Sequence, residues 1–214
     1  MKIQTIAVGP LQENTYLVVD ERAGHAVFID PGAEAERLLA ALGETGARLD
    51  AIWLTHAHMD HVGAIAEIVR HYPVPILLHP DGQPVYRAAA EHGRYFGLEV
   101  EQPPSTDGVL REGDALSVGD ARFKVMHTPG HAPGHVVIHG EGVAFVGDCL
   151  FAGSVGRTDL PMASGPELAR SLARIVALGD DVTVYPGHGP STTIGHERVH
   201  NPFLNGSVRI AGGV

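Results

Sequence analysis

Four potential metal ligands lie within six residues of the chain, in the segment Thr55-His56-Ala57-His58-Met59-Asp60-His61. Neutral imidazole nitrogens and carboxylate oxygens are the ligands that hold zinc, iron and manganese in proteins. In an extended segment, side chains two apart point to the same side, whereas on a helix they do not face each other. The spacing therefore predicts a metal-binding loop at the end of a strand, with His61 turned inward by the turn that follows.

Three later segments repeat one pattern, in which an apolar run leads into a glycine turn and then a polar ligand. The ligands are His131, Asp148 and His188, and the preceding runs are 123–126, 143–146 and 182–185. Glycine beside a ligand permits a tight turn and a close approach of the backbone. Ligands at the ends of several strands indicate that distant parts of the chain converge on one cleft.

The seven candidate ligands are too many for one tetrahedral zinc ion and suit two metals that share a carboxylate. The expected assignment is His56, His58 and His131 on the first metal, Asp60, His61 and His188 on the second, and Asp148 as the bridge. Zinc is the expected metal, and iron and manganese are compatible with the same ligands.

This ligand set predicts hydrolysis. Metal binding lowers the pKa of water from about 15.7 to about 7, so a metal-bridging hydroxide is the expected nucleophile. One metal can polarise a carbonyl oxygen while the other stabilises the leaving group. Two divalent ions, the hydroxide and the two carboxylates leave one net positive charge, which favours an anionic transition state. Asp60 and Asp148 are therefore the expected catalytic carboxylates.

Bulk composition indicates a globular protein. Of 214 residues, 44% are hydrophobic and 19% are charged, which permits a substantial core. The net charge of -10 and the absence of a Lys/Arg cluster argue against a nucleic-acid surface. Cys149 is the only cysteine, so an internal disulfide is excluded, and a reducing cytosol fits. Without a signal-like start or an apolar run of roughly 18 residues, we expect a cytoplasmic protein with no membrane contact.

Hydrophobic patterning predicts alternating strands and helices. The predicted strands are 15–19, 26–29, 51–54, 76–78, 115–118, 123–127, 136–138, 143–146 and 182–185. The predicted helices are 34–45, 62–70, 86–93, 166–178 and 194–200. Strands followed by helices, twice over, favour an α+β fold with two packed sheets and helices outside.

Several motifs resemble those of the metallo-β-lactamase-fold hydrolases, and within them the small glyoxalase II-like (hydroxyacylglutathione hydrolase-like) proteins. Resemblance covers residues 14–203, and the matching pieces are 14–16, 30–32, 55–61, 128–135, 147–160, 185–190, 192–197 and 201–203. It implies a four-layer αβ/βα sandwich of two mixed sheets, with the metals at one edge and cleavage of an ester-like bond.

The glyoxalase II branch acts on the thioester S-lactoylglutathione, so the resemblance implies a small thioester substrate, with glutathione as one carrier. Full-length glyoxalase II also has a helical C-terminal domain that makes much of the glutathione contact. About a dozen residues follow Phe203 here. We therefore expect a single domain over residues 1–214, without the helical domain, and a broader range of thioesters. The oligomeric state is left open.

Within the 147–160 segment, Arg157 is a candidate for binding an anionic substrate tail, because guanidinium pairs bidentately with carboxylate. An ion pair with Asp159 is the alternative. Ser154 and Thr158 are further candidates for substrate contact.

Two other residues near the motifs are expected to be structural. His135 is expected to be a hydrogen-bonded turn residue, with orientation of a ligand as the alternative. Cys149 is expected to be a buried, inert thiol. The remaining histidines are expected to be surface or structural residues: His25, His71, His79, His92, His127, His139, His196 and His200.

Two other functions remain open. The chain also resembles the glutathione persulfide dioxygenases, which share the fold and the Gly-Arg-Thr-Asp stretch at 156–159. That resemblance implies one iron, held by His56, His131 and Asp148. A metal-binding module without catalysis is the third possibility. A β-lactamase and an RNA-processing nuclease are not favoured, because neither a secretion signal nor an inserted nuclease domain is evident.

Overall fold

Two six-stranded sheets form the centre of the fold, and the computed structural model describes residues 1–210. The first sheet has strands in sequential order, antiparallel at first and parallel from the third strand on. Its strands are β1 (Lys2–Val8), β2 (Glu13–Asp20), β3 (His25–Ile29), β4 (Arg48–Trp53), β5 (Ile76–Leu78) and β6 (Gly108–Val109).

The second sheet is also mixed, because one parallel pair interrupts an antiparallel arrangement. Its strands are β7 (Ala115–Val118), β8 (Ala121–His127), β9 (Val136–Gly140), β10 (Val143–Gly147), β13 (Thr183–Pro186) and β14 (Thr192–Thr193). The parallel pair is β10 with β13, in which Phe145 lies opposite Tyr185. Between them in the chain, β11 (Leu150–Phe151) and β12 (Ser154–Val155) form a separate hairpin.

Helices cover the outer face of each sheet. They are α1 (Ala35–Thr45), α2 (Met59–Val62), α3 (Ile65–His71), α4 (Gln83–Arg87), α5 (Ala89–Tyr95), α6 (Gly165–Val176) and α7 (Ile194–His200), with a 3-10 turn at Pro80–Gly82. Helix α6 begins one residue before its predicted start, because the Ser164 hydroxyl accepts a hydrogen bond from the amide of Glu167, and Pro166 occupies the first turn. None of the helices within residues 1–210 has the length and apolarity to cross a bilayer.

Alternation along the strands divides the core into layers. In β2, Tyr16 and Val18 face the second sheet, whereas Leu17 and Val19 pack under the helices of the first. A third apolar cluster lies between the second sheet and α6 and α7. Helix, sheet, sheet and helix are therefore stacked as four layers, which confirms the predicted α+β sandwich.

Two predicted helices differ most from the structure in their boundaries, and strands β6, β11, β12 and β14 have no predicted counterpart. The helix predicted at 62–70 begins earlier and is divided, so that α2 starts at Met59 inside the metal segment. Asp60 and His61 therefore stand on a helical turn and not in an extended loop, which corrects the predicted alternation at Asp60. The helix predicted at 86–93 is likewise two short helices, α4 and α5.

We expect Phe145→Ala to reduce the free energy of unfolding by about 3–5 kcal/mol, since a large cavity would remain in the core. The Phe145 ring is fully buried between the two sheets and packs on Tyr16 and Tyr185, with ring centroids 5.2 and 5.4 Å away. Urea denaturation of the metal-free protein, followed by circular dichroism, measures this change. Phe96→Ala is the control, because Phe96 is 52% exposed and should change stability by under about 0.5 kcal/mol. A similar small loss for Phe145→Ala would contradict the packing.

Candidate metal centre

All seven predicted ligands lie together at one edge of the sandwich. They follow the ends of strands β4, β8, β10 and β13, which belong to both sheets. The structure therefore brings together the whole set that the sequence predicts, in two groups and a central carboxylate.

Three imidazoles form the first group. The Nδ1 atom of His58 lies 3.1 Å from Nε2 of His56 and 3.0 Å from Nε2 of His131. The three ring planes are nearly perpendicular to one another, with angles of 82–87°. Because the nitrogen lone pairs lie in the ring planes, this arrangement allows all three to point at one ion.

The second group lies on α2 and on the turn after β13. The Nε2 atom of His188 is 3.3 Å from Oδ2 of Asp60, and Nε2 of His61 is 3.9 Å from the same oxygen. His61 is fully buried, whereas Asp60 and His188 are half-buried. The more accessible members leave this group open on one side.

Asp148 lies between the two groups. Its Oδ1 atom is 3.5 Å from Nε2 of His61. Its Oδ2 atom is 3.5 Å from Nε2 of His131 and 3.6 Å from Nε2 of His188. One carboxylate therefore faces ligands of both groups, which is the position expected of a bridging ligand.

Backbone carbonyls orient two of the imidazoles. Nδ1 of His131 donates to the carbonyl of Arg157 at 2.9 Å, and Nδ1 of His188 donates to the carbonyl of Leu11 at 3.1 Å. A carbonyl oxygen only accepts hydrogen bonds, so the proton of each ring must be on Nδ1. The Nε2 lone pair of each ring is therefore free and directed at the centre.

Asp30 and Thr55 orient two more imidazoles through one network. Asp30 accepts hydrogen bonds from the amide and the hydroxyl of Thr55, at 2.7 and 2.5 Å, and from Nδ1 of His61 at 3.1 Å. Since the Thr55 hydroxyl gives its proton to Asp30, it accepts from Nδ1 of His56 at 3.1 Å. Both rings thus direct Nε2 inward, and only His58 faces the centre through Nδ1.

The centre requires positive charge. Among residues 1–210, Nε2 of His61 and Oδ1 of Asp148 are buried and have no hydrogen-bond partner. Burial alone would lower the pKa of His61, but the carboxylates of Asp148 and Asp60 raise it well above its usual value. Burial would raise the pKa of Asp148, but the imidazoles, His61 first, hold it well below the usual range. Buried lone pairs that face a carboxylate fit bound cations, and the donor set fits divalent metal ions.

His135 contacts two of the candidate ligands, Asp148 and His56, on the side that faces away from the centre. Its Nε2 atom accepts a hydrogen bond from the backbone amide of Asp148 at 3.1 Å, and its Nδ1 donates to the Thr128 hydroxyl at 3.0 Å. Its ring stacks on His56 at a centroid distance of 5.0 Å. Burial lowers the pKa of His135 well below the usual value, which keeps the ring neutral. His135 is thus hydrogen-bonded in its turn, as expected, and also orients Asp148.

The expectation of an inert thiol fits the surroundings of Cys149. Its side chain is fully buried, and Sγ lies 3.5 Å from the carbonyl of Thr128. Burial raises the pKa of the thiol to about 12. The neutral thiol is a poor ligand and a poor nucleophile at neutral pH.

Of the two roles expected for Arg157, the structure shows the ion pair with Asp159. Its guanidinium donates to both carboxylate oxygens of Asp159, at 2.7 and 2.8 Å, on the exposed surface. Ser154 lies in β12 and Thr158 on the loop next to Arg157, and both are half-buried. The sequence did not indicate the role of the Arg157 backbone, because a carbonyl that accepts from His131 needs no particular side chain.

A further set of candidate ligands, His79, Asp81 and His127, lies at the ends of β5 and β8 and is separate from the seven. The rings of His79 and His127 are stacked, with centroids 4.0 Å apart and planes 7° from parallel. Lone pairs in two parallel planes do not converge on one ion. The stack therefore fits the structural role expected for these two histidines.

The turn that carries His188 is held by the first sheet. The side-chain amide of Asn14 donates to the carbonyls of Pro186 and Gly189, at 3.0 and 2.8 Å, and the Tyr16 hydroxyl donates to the Pro186 carbonyl at 2.5 Å. Gly187 lies directly against the centre, where a Cβ atom would be 2.1 Å from Oδ1 of Asp148. Asn14 and Tyr16 belong to one of the motifs that carry the family resemblance. The sequence pattern does not predict that they contact the turn at 186–189.

Comparison with known proteins identifies the family. The sequence profile of the metallo-beta-lactamase superfamily matches residues 8–188. The chain belongs to this superfamily. Its members are mostly metal-dependent hydrolases, and the fold binds divalent metals.

Two similar proteins match this chain over nearly its whole length. The hydroxyacylglutathione hydrolase GloC of Haemophilus influenzae is 38% identical over 96% of this chain and 99% of its own. The crystal structure of TTHA1623 in a di-iron-bound form is 46% identical, with a TM-score of 0.87, and covers 94% and 100% of the two chains.

Two further solved structures are similar to this chain over most of its length. The BLEG-1 B3 metallo-beta-lactamase is 38% identical, with a TM-score of 0.88, and covers 95% of this chain and 99% of its own. ETHE1 from Myxococcus xanthus is 28% identical, with a TM-score of 0.82, and covers 96% and 85%. The fold and the superfamily are thus established, whereas the substrate has to be argued from the site.

We expect Gly187→Ala to lower metal content in this superfamily member, because the added methyl group would displace the carboxylate of Asp148. Metal per chain, measured by plasma mass spectrometry after zinc loading, should fall at least twofold, with the cooperative unfolding of the metal-free protein retained. The control is Gly43→Ala in α1, where a Cβ would meet nothing within 4 Å. Full metal content in Gly187→Ala would show that Asp148 need not stand where the structure places it.

Proposed function

We propose that the protein is a binuclear metal-dependent hydrolase that cleaves small thioesters. The observation that carries this proposal is the second donor group. Asp60, His61 and His188 converge as His56, His58 and His131 do, and Asp148 faces both groups. A second set of oriented donors is superfluous for a single ion, so we infer two metals, with zinc as the expected one and iron or manganese compatible.

When bound, divalent metals at this site would activate water and polarise a carbonyl oxygen. The residues of the chain prepare the site for that chemistry. His61 and His188 hold the pKa of Asp60 below its usual value, although burial opposes this. Asp60 and Asp148 are therefore ionised at neutral pH and serve as ligands or proton acceptors. The outward Nδ1–H groups of His56, His61, His131 and His188 keep the Nε2 atoms of these rings aimed at the centre, so the ligands need little reorganisation.

A thioester substrate is supported by the relationship to GloC, which spans both chains almost completely. The thiol carrier is proposed to be glutathione or a similar small thiol. The Arg157–Asp159 pair is exposed, so solvent weakens it and leaves the guanidinium available to exchange Asp159 for a substrate carboxylate. Ser154 and Thr158 lie on the same segment and complete the proposed contact surface. We place the enzyme in the cytoplasm.

A glutathione persulfide dioxygenase is the second candidate, favoured by the structural similarity to ETHE1. That activity would use one iron on His56, His131 and Asp148. The complete second group argues against it, because Asp60, His61 and His188 would then have no metal to bind. The similarity to the di-iron-bound TTHA1623 structure also supports two metals.

Metal content and substrate turnover distinguish these functions. We expect close to two metals per chain by mass spectrometry and release of free thiol from S-lactoylglutathione, followed with a thiol-reactive dye. Oxygen uptake with glutathione persulfide and hydrolysis of a chromogenic β-lactam are measured on the same preparation. One iron per chain with oxygen uptake would replace the hydrolase by the dioxygenase, and β-lactam turnover without thioester turnover would indicate a lactamase.

We expect Asp148→Asn to reduce thioester turnover at least 100-fold and metal content at least twofold, because an amide cannot supply two anionic oxygens to the centre. Asn has nearly the same shape, so the fold should be retained. Cys149→Ala is the neighbouring control, and it should keep both metals and turnover within about threefold. Retained turnover in Asp148→Asn would remove the bridging role.

A further inference from the structure

The β11–β12 hairpin adjoins three of the seven candidate ligands, one through its Phe151 ring and two through the residues on either side of it. It begins two residues after Asp148 and leads to Arg157, whose carbonyl accepts a hydrogen bond from Nδ1 of His131. The ring of Phe151, in β11, lies 6.1 Å from the ring of His188. The amide of Gly156 donates to the carbonyl of Cys149 at 3.2 Å and closes the base of the hairpin. A displacement of this hairpin would therefore move ligands of both groups.

A fully buried carboxyl group on α7 holds the turn of the hairpin. Oε2 of Glu197 accepts hydrogen bonds from the backbone amide of Gly153 and from the side-chain amide of Asn201, both at 2.8 Å. Oε1 accepts from the hydroxyl of Thr192 at 2.7 Å. Glu197 has no exposed surface. A buried carboxyl group is costly unless its hydrogen bonds are satisfied, so these contacts are strongly constrained.

Asn201 binds both strands of the same hairpin. Its side-chain amide donates to the carbonyl of Ser154 at 3.0 Å and, more weakly, to the carbonyl of Phe151 at 3.3 Å. Its Oδ1 atom accepts from the amide of Phe203 at 3.0 Å, which fixes the orientation of the side chain. Asn201 is fully buried. Hence, Glu197 and Asn201 together satisfy three backbone groups of a hairpin that has only two residue pairs of its own.

We propose that Glu197 and Asn201 are positioning residues of the metal centre. They act through the hairpin, which holds Asp148, His131 and His188 at the spacing that two metals require. This inference rests on the proposed metal-binding role of those three residues. It does not depend on which substrate the enzyme cleaves.

Three variants separate positioning from simple stability. Glu197→Met fills the same volume without acceptors and releases Gly153 and Asn201. Glu197→Gln keeps the three contacts, because its oxygen can accept from Gly153 and Asn201 while its amide donates to Thr192. Thr192→Val is the matched control, since it removes one hydrogen bond of Glu197 and leaves the hairpin contacts intact.

We expect Glu197→Met to retain at most half of the wild-type zinc after dialysis against a weak chelator. Its kcat for thioester hydrolysis should fall at least tenfold, while KM changes less than threefold. Glu197→Gln should restore both quantities to within twofold of wild type. Thr192→Val should lower Tm but leave zinc and kcat within twofold. Normal zinc retention and kcat in a folded Glu197→Met would overturn the proposal, as would equal losses in Thr192→Val.

A measurement on the wild-type protein covers the case in which Glu197→Met does not fold. If the hairpin contacts and the metals stabilise each other, the coupling must be reciprocal. Zinc loading should then slow hydrogen exchange of the Gly153 amide at least tenfold relative to the metal-free protein. The amide of Gly46, at the end of α1, serves as the reference and should be unaffected. Equal exchange of Gly153 with and without zinc would overturn the proposal.

These readouts also distinguish the two proposals from each other. Zinc retention and amide exchange report on positioning even if no thioester is cleaved. A protein that binds two zinc ions, loses them in Glu197→Met and cleaves no thioester would keep the positioning role and refute the proposed function. A wild-type protein that retains fewer than two zinc ions would refute both.

Discussion

The central constraint on this structure is that inward-facing lone pairs surround a buried carboxylate. Nε2 of His61 lies 3.5 Å from Oδ1 of Asp148, and both atoms are buried without a hydrogen-bond partner in residues 1–210. Without a cation the arrangement is unfavourable, because acceptors would face acceptors in a medium that screens poorly. Four imidazoles hydrogen-bond through Nδ1 to Asp30, Thr55, Arg157 and Leu11. These bonds hold the Nδ1 protons on the side that faces away from the centre. The centre is thus prepared for positive charge by the parts of the chain around it.

Both sheets contribute to this preparation, which explains why the site lies at their common edge. The first sheet supplies the loop after β4 and, through Asn14 and Tyr16, holds the turn after β13. The second sheet supplies the segments that follow β8, β10 and β13. The apolar layer between the sheets, with Phe145 and Trp53 among its members, fixes their separation. Packing in the core and ligand spacing at the edge are therefore parts of one geometry.

Residue type and spacing were sufficient to predict the fold class and the seven side chains that converge. They were sufficient because a metal site needs specific side chains, and strands that end in glycine turns are visible in the sequence. The start of α2 at Met59 was missed, because the alternation of His56, His58 and Asp60 resembles extended chain. Strands such as β6 and β14 have only two residues each and are defined by their partners. They have no local pattern of their own.

The hydrogen bonds between Asn14 and the turn at Pro186 join residues 172 positions apart. Contacts of such long range are slow to form, since the loop between them must close first. During synthesis, the His56–His61 segment leaves the ribosome long before His188 is made and can complete the second donor group. Until then the nascent chain carries an imidazole-rich loop whose donor groups are incomplete. Binding of the second of the two proposed ions has to wait until the segment that carries His188 has been synthesised.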